Sequence, residues 1–119
     1  MIVTRTPFRM SFVGGGSDLP SYYRKKGGAV LSTSIGKYMY VTVNKKFDND
    51  IRLSYSITEN VQHIRKIKHP IVRNALNLLN INGGIEITSI SDISSRGSGL
   101  GSSSSYAVGL LHALFTFKG

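Results

Sequence analysis

The stretch of sequence that decides the fold runs from residue 85 to residue 117 and reads IEITSISDISSRGSGLGSSSSYAVGLLHALFTF. Residues 85–90 alternate apolar and polar side chains, which is typical of a β-strand with one buried face. Residues 102–117 predict an amphipathic helix, because Ala107, Leu110, Leu111 and Leu114 fall at helical spacing. Between them, residues 94–105 consist almost entirely of serine and glycine. The stretch therefore predicts a strand, a glycine-serine loop and a helix, in that order.

The loop at residues 94–105 has two interpretations. Serine- and glycine-rich composition is typical of a flexible linker. This run, however, joins a predicted strand directly to a predicted helix and contains one apolar residue, Leu100. Glycines let backbone N–H groups approach an anion closely, and the first turn of a helix has unpaired N–H donors with a partial positive charge. We therefore favour a phosphate-binding loop, in which Ser102 and Ser103 cap the helix or contact phosphate-bound Mg²⁺.

Several familiar glycine motifs do not fit this loop. No Gly-Lys-Ser/Thr follows the glycines, so the loop is not a Walker A motif. The third glycine of the dinucleotide-binding fingerprint would fall at Ser102. The VAIK, HRD and DFG elements of protein kinases and the G-x-S-x-G nucleophile elbow are also absent from the sequence.

The rest of the chain predicts a domain of mixed α and β content. Residues 2–13 are expected to form two short extended pieces separated by Pro7, because proline cannot donate to a central ladder. Residues 29–47 and 51–55 are rich in β-branched and aromatic side chains around a short polar turn, which predicts a hairpin. Helices are expected in three further places: 19–26, 59–67 and 70–79. This content favours the α+β class.

Composition restricts the functional classes. With 119 residues, of which 40% are hydrophobic, the chain is one domain or part of one. The absence of cysteine excludes disulfide scaffolds, cysteine-based zinc sites and thiol catalysis. His63, His69 and His112 do not have metal-ligand spacing. The sequence has no apolar run long enough for a transmembrane helix and no signal-peptide pattern at its start, so we expect a cytoplasmic location and no membrane partner.

The net charge of +9 favours anionic ligands. The lysines and arginines are dispersed, and no basic block is interleaved with aromatic residues as in a single-strand stacking platform. A solvated, lysine-rich surface explains most of the charge, and a phosphate-bearing substrate is compatible with it. A small basic nucleic-acid-binding module is the alternative from another functional class.

Two stretches together resemble the GHMP kinases, the family of galactokinase, homoserine kinase, mevalonate kinase and phosphomevalonate kinase. Residues 99–104, GLGSSS, resemble the centre of the family's second motif, P-x-x-G-L-G-S-S-A, with serine in place of the opening proline. Residues 6–19, TPFRMSFVGGGSDL, resemble its first motif, A-P-G-R-V-N-L-I-G-E-H-T-D-Y. Positions in register in the first motif are Pro7, Arg9, Gly14 and Asp18. The order and separation of the two motifs are similar to those of the family.

The resemblance implies that residues 1–119 form the family's N-terminal ATP-binding domain, a mixed or antiparallel sheet with helices on one side. It also implies that ATP and Mg²⁺ are cofactors and that the γ-phosphoryl group is transferred to a hydroxyl. The residues implied to bind the ATP phosphates are Gly97, Ser98, Gly99, Leu100, Gly101, Ser102, Ser103 and Ser104. The hydroxyl of Ser102 is also the implied Mg²⁺ ligand.

The first motif carries the implied acceptor site. Its residues are Arg9, Gly14, Gly15, Gly16, Ser17 and Asp18. Glycines replace the Glu-His pair of galactokinase-like members, which argues against galactose. The G-G-G-S-D form resembles the heptose-kinase branch, which implies that the acceptor is the anomeric hydroxyl of D-glycero-D-manno-heptose 7-phosphate. Fucokinase-like or other small-molecule kinases are the alternative within the family.

Simpler roles stay open for two of these residues. Asp18 can be the N-cap of the helix predicted at 19–26. Arg9 can be a surface arginine on an edge strand, rather than a residue that binds phosphate and assists transfer electrostatically.

The catalytic aspartate that many family members use, and their third glycine-rich motif, lie beyond the second motif. We expect both, together with the C-terminal domain, to be outside this sequence, and no other acid is assigned as the base. An anion at a helix N-terminus gains about 0.3–2 kcal/mol, whereas enzymatic catalysis needs roughly 8–23 kcal/mol. The isolated chain is therefore expected to have weak or no kinase activity, and an inactive or regulatory fragment is the remaining alternative.

Overall fold

The computed structural model describes residues 1–17, 19–94 and 100–119. Its elements in chain order are β1 (Ile2–Val13), α1 (Pro20–Lys26), β2 (Leu31–Lys45), β3 (Ile51–Ser54), β4 (Thr58–Val61), a short 3-10 turn (Ile64–Lys66), α2 (Pro70–Leu78), β5 (Ile85–Ser91) and α3 (Ser102–Lys118). The mixed content confirms the α+β class. No described helix is both long enough and apolar enough to cross a membrane.

The strands form one mixed sheet in the order β1-β2-β5-β3-β4. The pairs β1–β2, β2–β5 and β3–β4 are antiparallel, and β3 and β5 run parallel. The hairpin predicted between β2 and β3 is wrong, because β5 lies between these strands. Ile85 and Ile87 on β5 are 0% and 1% exposed. This apolar strand lies at the centre of the sheet and pairs with β2 on one side and β3 on the other.

The first strand is continuous, contrary to the prediction that Pro7 divides it. β1 lies at the edge of the sheet and pairs with β2 along one side, so a missing backbone donor is tolerated there. Pro7 does disturb the pairing of β1 with β2, because the register of the two strands shifts between Pro7 and Arg9. Phe8, at the shift, is fully buried in the core.

The helix predicted at 59–67 is also wrong, because this segment forms β4 and the 3-10 turn. Glu59 explains the difference: it is buried and accepts hydrogen bonds from the Tyr55 hydroxyl and the backbone N–H of Lys68. These contacts hold the chain in an extended and then sharply turned path. The helices predicted at 19–26, 70–79 and 102–117 are confirmed, with ends that differ by one residue.

The core lies between one face of the sheet and the helices α2 and α3, as expected for helices on one side. The strands contribute Phe8, Val41, Val43, Ile51, Leu53, Ile85 and Ile87, and the helices contribute Val72, Leu76, Leu110 and Leu114, all 0–1% exposed. Burial of these side chains supplies the main stabilisation of the fold.

Direct contacts fix α3 on β1. The Thr4 hydroxyl donates to the carbonyl of Gly109 at 2.8 Å, and the Ser105 hydroxyl donates to the carbonyl of Pro7 at 3.0 Å. A Cβ on Gly109 would lie only 2.8 Å from Oγ1 of Thr6, so glycine permits this close approach. These contacts place the N-terminus of α3 beside the middle of β1.

Candidate functional site

The start of α3 brings the two sequence motifs into contact. The backbone N–H of Arg9 donates to the carbonyl of Leu100 at 3.1 Å. Gly101, the residue before α3, has φ of +75°, and a Cβ there would lie 3.2–3.4 Å from Cγ, Nε and Cζ of Arg9. The guanidinium of Arg9 therefore lies against the first turn of α3, so its side chain belongs to the same site as the second motif.

This arrangement has the properties of an anion site. Backbone N–H groups at the first turn of a helix point toward its N-terminal end, and the helix dipole makes this end partly positive. The adjacent guanidinium adds a full positive charge with directional donors. Gly101, which has no side chain, occupies the N-cap position, so neither Ser102 nor Ser103 is the N-cap residue.

Part of the phosphate loop named from the sequence is described and part is not. Leu100, Gly101, Ser102, Ser103 and Ser104 lie at the end of the loop and in the first turn of α3. Gly97, Ser98 and Gly99 lie outside the described residues, so their role stays a prediction.

A cleft of about 600 Å³ opens beside the first turn of α3, where Ser102 and Ser103 form part of its wall. An aromatic group forms another part of the wall: Tyr55, His69 and Tyr106. The ring of His69 meets that of Tyr55 edge-on at 4.8 Å between centroids and lies 5.1 Å from the ring of Tyr106. A wall of aromatic rings next to an anion site is suited to a planar ligand that carries phosphates.

The buried carboxylate of Glu59 holds this aromatic wall in place. The Tyr55 hydroxyl donates to one carboxylate oxygen at 2.5 Å, and the backbone N–H of Lys68 donates to the other at 2.9 Å. Burial alone would raise the pKa of Glu59, but hydrogen bonds from Tyr55, Lys68 and the backbone of His69 bring this pKa below its usual range. Burial raises the pKa of Tyr55 to about 12 and lowers the pKa of His69. Glu59 is thus a fixed anion that positions the wall.

Replacing Glu59 by glutamine is expected to lower the free energy of unfolding at pH 7 by about 2–3 kcal/mol, because charge-assisted hydrogen bonds are lost. The folded-state pKa of Glu59 lies below its unfolded value of 4.5, so this stabilisation is present above pH 4.5 and is lost as the pH falls through the folded-state pKa. The difference in urea unfolding between the wild type and Glu59→Gln should therefore be largest at pH 7 and should shrink as the pH falls through the folded-state pKa of Glu59.

Glu86→Gln is the matched control for this prediction. The carboxylate of Glu86 lies 3.6 Å from Arg52, and both side chains are partly exposed. Such a surface ion pair contributes less than about 1 kcal/mol. An equal loss in the two variants at pH 7, or a Glu59→Gln loss that does not depend on pH, would contradict the role given to Glu59.

The first glycine loop, residues 14–17, forms a tight turn that packs against a second glycine segment, residues 27–30. The Ser17 hydroxyl oxygen lies 2.7 Å from the carbonyl of Gly14 and 2.9 Å from that of Ala29, and it accepts from the N–H of Ala29 at 3.2 Å. A Cβ on Gly14 would lie 1.9 Å from the carbonyl oxygen of Ala29. The two segments therefore contact each other through their backbones.

Four of the predicted acceptor residues, Gly14, Gly15, Gly16 and Ser17, lie at this second place, whereas Arg9 lies at the start of α3. Gly15 and Gly16 are exposed in the turn, whereas Asp18 lies outside the described residues and its sugar-binding role stays a prediction. The N-cap position of α1 is occupied by Leu19 without a side-chain cap. Arg9 lies on β1, and Gly14 directly follows the end of that strand. One strand thus links the anion site to the glycine turn.

Sequence reasoning misses two parts of this region. The aromatic wall joins Tyr55, which follows β3, His69, which precedes α2, and Tyr106 of α3, and no local pattern connects them. The second glycine segment reads in the sequence only as the end of α1; the signal that could identify it is a glycine pair soon after a glycine-rich turn, with one short helix between them.

Comparisons of the sequence and of the structure with known proteins point to the same family. Residues 60–119 match the model of the family described as GHMP kinases N terminal domain. A D-glycero-alpha-D-manno-heptose 7-phosphate kinase of Campylobacter jejuni is 32% identical over 94% of this chain. That match covers 36% of the relative, so the chain spans little more than a third of the relative's length.

Solved structures share the fold. A D-glycero-D-manno-heptose 1-phosphate kinase from Bacteriodes thetaiotaomicron superposes with a TM-score of 0.81 and 23% identity, covering 96% of this chain and 41% of that one. A Streptococcus pneumoniae phosphomevalonate kinase in complex with phosphomevalonate and AMPPNP superposes with a TM-score of 0.69 and 18% identity, covering 98% and 36%.

Proposed function

The chain belongs to the GHMP kinase family, and we propose that it forms the N-terminal, ATP-binding domain of a kinase that phosphorylates a sugar phosphate. Residues 1–119 supply the nucleotide site and part of the acceptor site. A further domain, corresponding to the remaining length of the relatives, supplies the catalytic base. The proposed reaction is transfer of the γ-phosphoryl group of ATP to the anomeric hydroxyl of D-glycero-D-manno-heptose 7-phosphate, which yields a 1,7-bisphosphate.

The contact between Arg9 and Gly101 is the observation that carries this proposal. It joins residues that are far apart in the sequence at the N-terminus of α3, where backbone donors and a guanidinium converge. A triphosphate tail is the ligand that best uses both features, because its several oxygens accept from directional donors at once.

The cleft beside α3 supports a nucleotide in particular. Its volume of about 600 Å³ lies within the range of small-molecule sites. A base against the wall of Tyr55, His69 and Tyr106 would leave the phosphates at Ser102 and Ser103. AMPPNP is an ATP analogue, and its presence in the phosphomevalonate kinase complex agrees with ATP as the donor for this fold.

The described residues fit Mg²⁺ only as part of a nucleotide complex. No group of three or more His, Cys, Asp or Glu residues that could hold a metal occurs among them. Mg²⁺ commonly keeps several waters and binds substrate phosphates with few protein ligands. Ser102 is the residue that would contribute a hydroxyl ligand, and the ion would neutralise phosphate charge when bound.

In the proposed reaction, the sugar hydroxyl oxygen forms a bond to the γ-phosphorus as the bond to the β–γ bridging oxygen breaks. ADP leaves with that oxygen, and the hydroxyl proton passes to the base supplied by the further domain. Arg9 stabilises the negative charge on the transferred group electrostatically, and the helix N-terminus orients the phosphates.

The glycine turn supports a sugar phosphate acceptor. A Cβ added to Gly15 would meet no heavy atom within 4 Å, so the turn leaves space for a ligand on that side. The named activity of the 32%-identical relative, a heptose 7-phosphate kinase, agrees with this acceptor.

Isothermal titration of the 119-residue chain with MgAMPPNP tests the nucleotide part of the proposal. We expect saturable binding that Ser102→Ala weakens roughly two- to tenfold, the value of a neutral hydrogen bond. Thr116→Ala, at the far end of α3, is the control and should bind as the wild type does. Unchanged affinity in Ser102→Ala would contradict the role of its hydroxyl.

Turnover is tested separately. The chain is incubated with MgATP and D-glycero-D-manno-heptose 7-phosphate, with fucose, galactose and mevalonate as comparison acceptors. We expect no bisphosphate above background, because the base lies in the further domain. Formation of product by the 119-residue chain alone would contradict that division.

A further inference from the structure

We propose that the outer face of α3 is the surface on which the further domain of the proposed kinase packs. This surface, the outer stripe, consists of Ser104, Val108, Leu111 and Phe115. The inference rests on the proposed function and extends it, because it assigns the contact that joins the two parts of the kinase.

α3 is apolar around its whole circumference. Its inner face packs on β1 and β2 and is buried. On the outer face, Val108 and Phe115 are 60% and 57% exposed, and Leu111 is partly exposed. Lys118, in the last turn, is the only Lys, Arg, Asp or Glu of the helix. A helix that is hydrophobic all round is typical of a protein interior, and the described residues cover only one face of this one.

The neighbouring helix α2 has the outer face of a solvated helix. Val72 and Leu76 are buried, whereas Asn74 and Asn77 are exposed. Leu78 is the one large apolar side chain that α2 exposes, and isolated apolar residues of this kind are normal on a protein surface. The outer stripe of α3 differs from α2 because its exposed apolar side chains recur along the helix.

The spacing of the outer stripe is that of a helix-packing surface. Its residues follow one another by four, three and four positions, which places them on one side of the helix. The 17 residues of α3 form a helix about 25 Å long. The stripe therefore offers a continuous surface along which another element can pack.

This surface fits a covalently attached domain better than a separate molecule. A face about 25 Å long and about 10 Å wide is far smaller than the roughly 1,200–2,000 Å² that separate proteins bury in a stable interface. A smaller contact suffices for an attached domain, because it does not lose the translational freedom that two molecules lose on association. Two copies of this chain would also repel each other, since each carries a net charge of +9. The residues of the stripe are uncharged, so a nucleic acid has no cation to pair with there.

The lengths of the relatives and the position of the stripe agree with this partner. The chain corresponds to 41% of the Bacteriodes structure and 36% of the Campylobacter relative, so more than half of each lies outside the shared region. Ser104 lies in the first turn of α3, next to Ser102 and Ser103 of the proposed phosphate site. A domain that packs from Ser104 to Phe115 is therefore held beside the γ-phosphate, where its base must act.

Hydroxyl-radical footprinting with mass spectrometry tests this contact in the full-length kinase that contains residues 1–119. Phe47, in the turn between β2 and β3, is the internal control of the same residue type. With the stripe uncovered, Phe115 would be oxidised about half as fast as Phe47, in proportion to exposures of 57% and 110%. We expect a rate below about one-tenth of that of Phe47, because a covered Phe115 is almost fully buried. The 119-residue chain measured alone should give the uncovered ratio.

Val108→Asp and Ile90→Asp form a matched pair of variants for the same test. Both residues are β-branched and similarly exposed, at 60% and 63%, but Ile90 lies on the face of the sheet opposite the helices. We expect Val108→Asp to lower the denaturation temperature of the full-length kinase by at least about 5 °C, because a charge is buried without a partner. The same variant of the 119-residue chain should change by less than about 2 °C. Ile90→Asp should change both proteins equally.

The outcomes separate this inference from the proposed function, because MgAMPPNP binding is measured in parallel. Normal MgAMPPNP binding with the uncovered Phe115 ratio in the full-length kinase, or with equal effects of Val108→Asp on both proteins, overturns the inference and leaves the nucleotide site intact. Protection of Phe115 in the 119-residue chain that increases with protein concentration also overturns it, because a second copy would then cover the stripe. Absence of MgAMPPNP binding, or of any longer kinase that contains residues 1–119, overturns the proposed function and this inference with it.

Discussion

Arg9→Met is expected to weaken binding of MgAMPPNP to the chain by about ten- to a hundredfold. The guanidinium lies against Gly101 at the start of α3, where it would form charge-assisted bonds to phosphate oxygens. Such bonds contribute about 1.5–3 kcal/mol each, which corresponds to that range of affinity. Methionine keeps an apolar stem of similar length beside Gly101, so the loss reports on charge rather than on packing. Isothermal titration measures the effect.

Arg5→Met is the matched control for this prediction. Arg5 lies on the same strand, with its guanidinium 4.6 Å from the centroid of the Tyr38 ring. The two variants carry the same net charge and the same introduced residue, so a long-range effect of charge would appear in both. If Arg5→Met lowers nucleotide affinity as much as Arg9→Met does, a specific phosphate contact by Arg9 is excluded.

Gly14→Ala is expected to disrupt the glycine turn and to abolish measurable binding of heptose 7-phosphate. Gly14 has φ of +86°, and an added Cβ would lie 1.9 Å from the carbonyl oxygen of Ala29, which is backbone and cannot move aside cheaply. Steric overlap and left-handed strain together cost at least about 2 kcal/mol. We expect a lower urea midpoint and faster hydrogen exchange at the amides of Ser17 and Ala29, which donate to the Gly14 carbonyl and the Ser17 hydroxyl in the intact turn.

Gly15→Ala provides the comparison, because a Cβ at Gly15 meets no atom within 4 Å and its φ is not in the left-handed region. This variant should keep the stability of the wild type within about 0.5 kcal/mol. Equal stability of Gly14→Ala and the wild type would show that the two glycine segments are not locked together.

The features that sequence reasoning predicts correctly are local or carried by motifs. The helices α2 and α3 follow from apolar spacing, and the α+β class follows from the mixture of periodicities. Each of these signals lies within a short window, where spacing and side-chain type suffice.

The features that it misses depend on contacts between distant segments. The placement of β5 between β2 and β3 comes from sheet pairing, which no local pattern specifies. Glu59 falls within the helix predicted at 59–67, whereas its burial and its hydrogen bonds with Tyr55 and Lys68 hold it in a strand. Pro7 is expected to break β1, but the edge position of that strand removes the cost.

The candidate site also has parts that the sequence predicts and parts that depend on contacts between distant segments. The glycine turn and the first turn of α3 are both indicated by the sequence, and the described part of each lies where a ligand can reach it. The aromatic wall is not indicated by the sequence, because Tyr55, His69 and Tyr106 come together only in the folded chain.

The central claim is that the first turn of α3, together with Arg9, binds the phosphates of a nucleotide. It is tested most directly by recording amide NMR spectra of the isotopically labelled chain during titration with MgAMPPNP. We expect the largest shifts at residues 100–104 and at Arg9, with smaller shifts at the amides of Tyr55, His69 and Tyr106. Absence of shifts at saturating nucleotide, or shifts confined to residues far from α3 and β1, would contradict it.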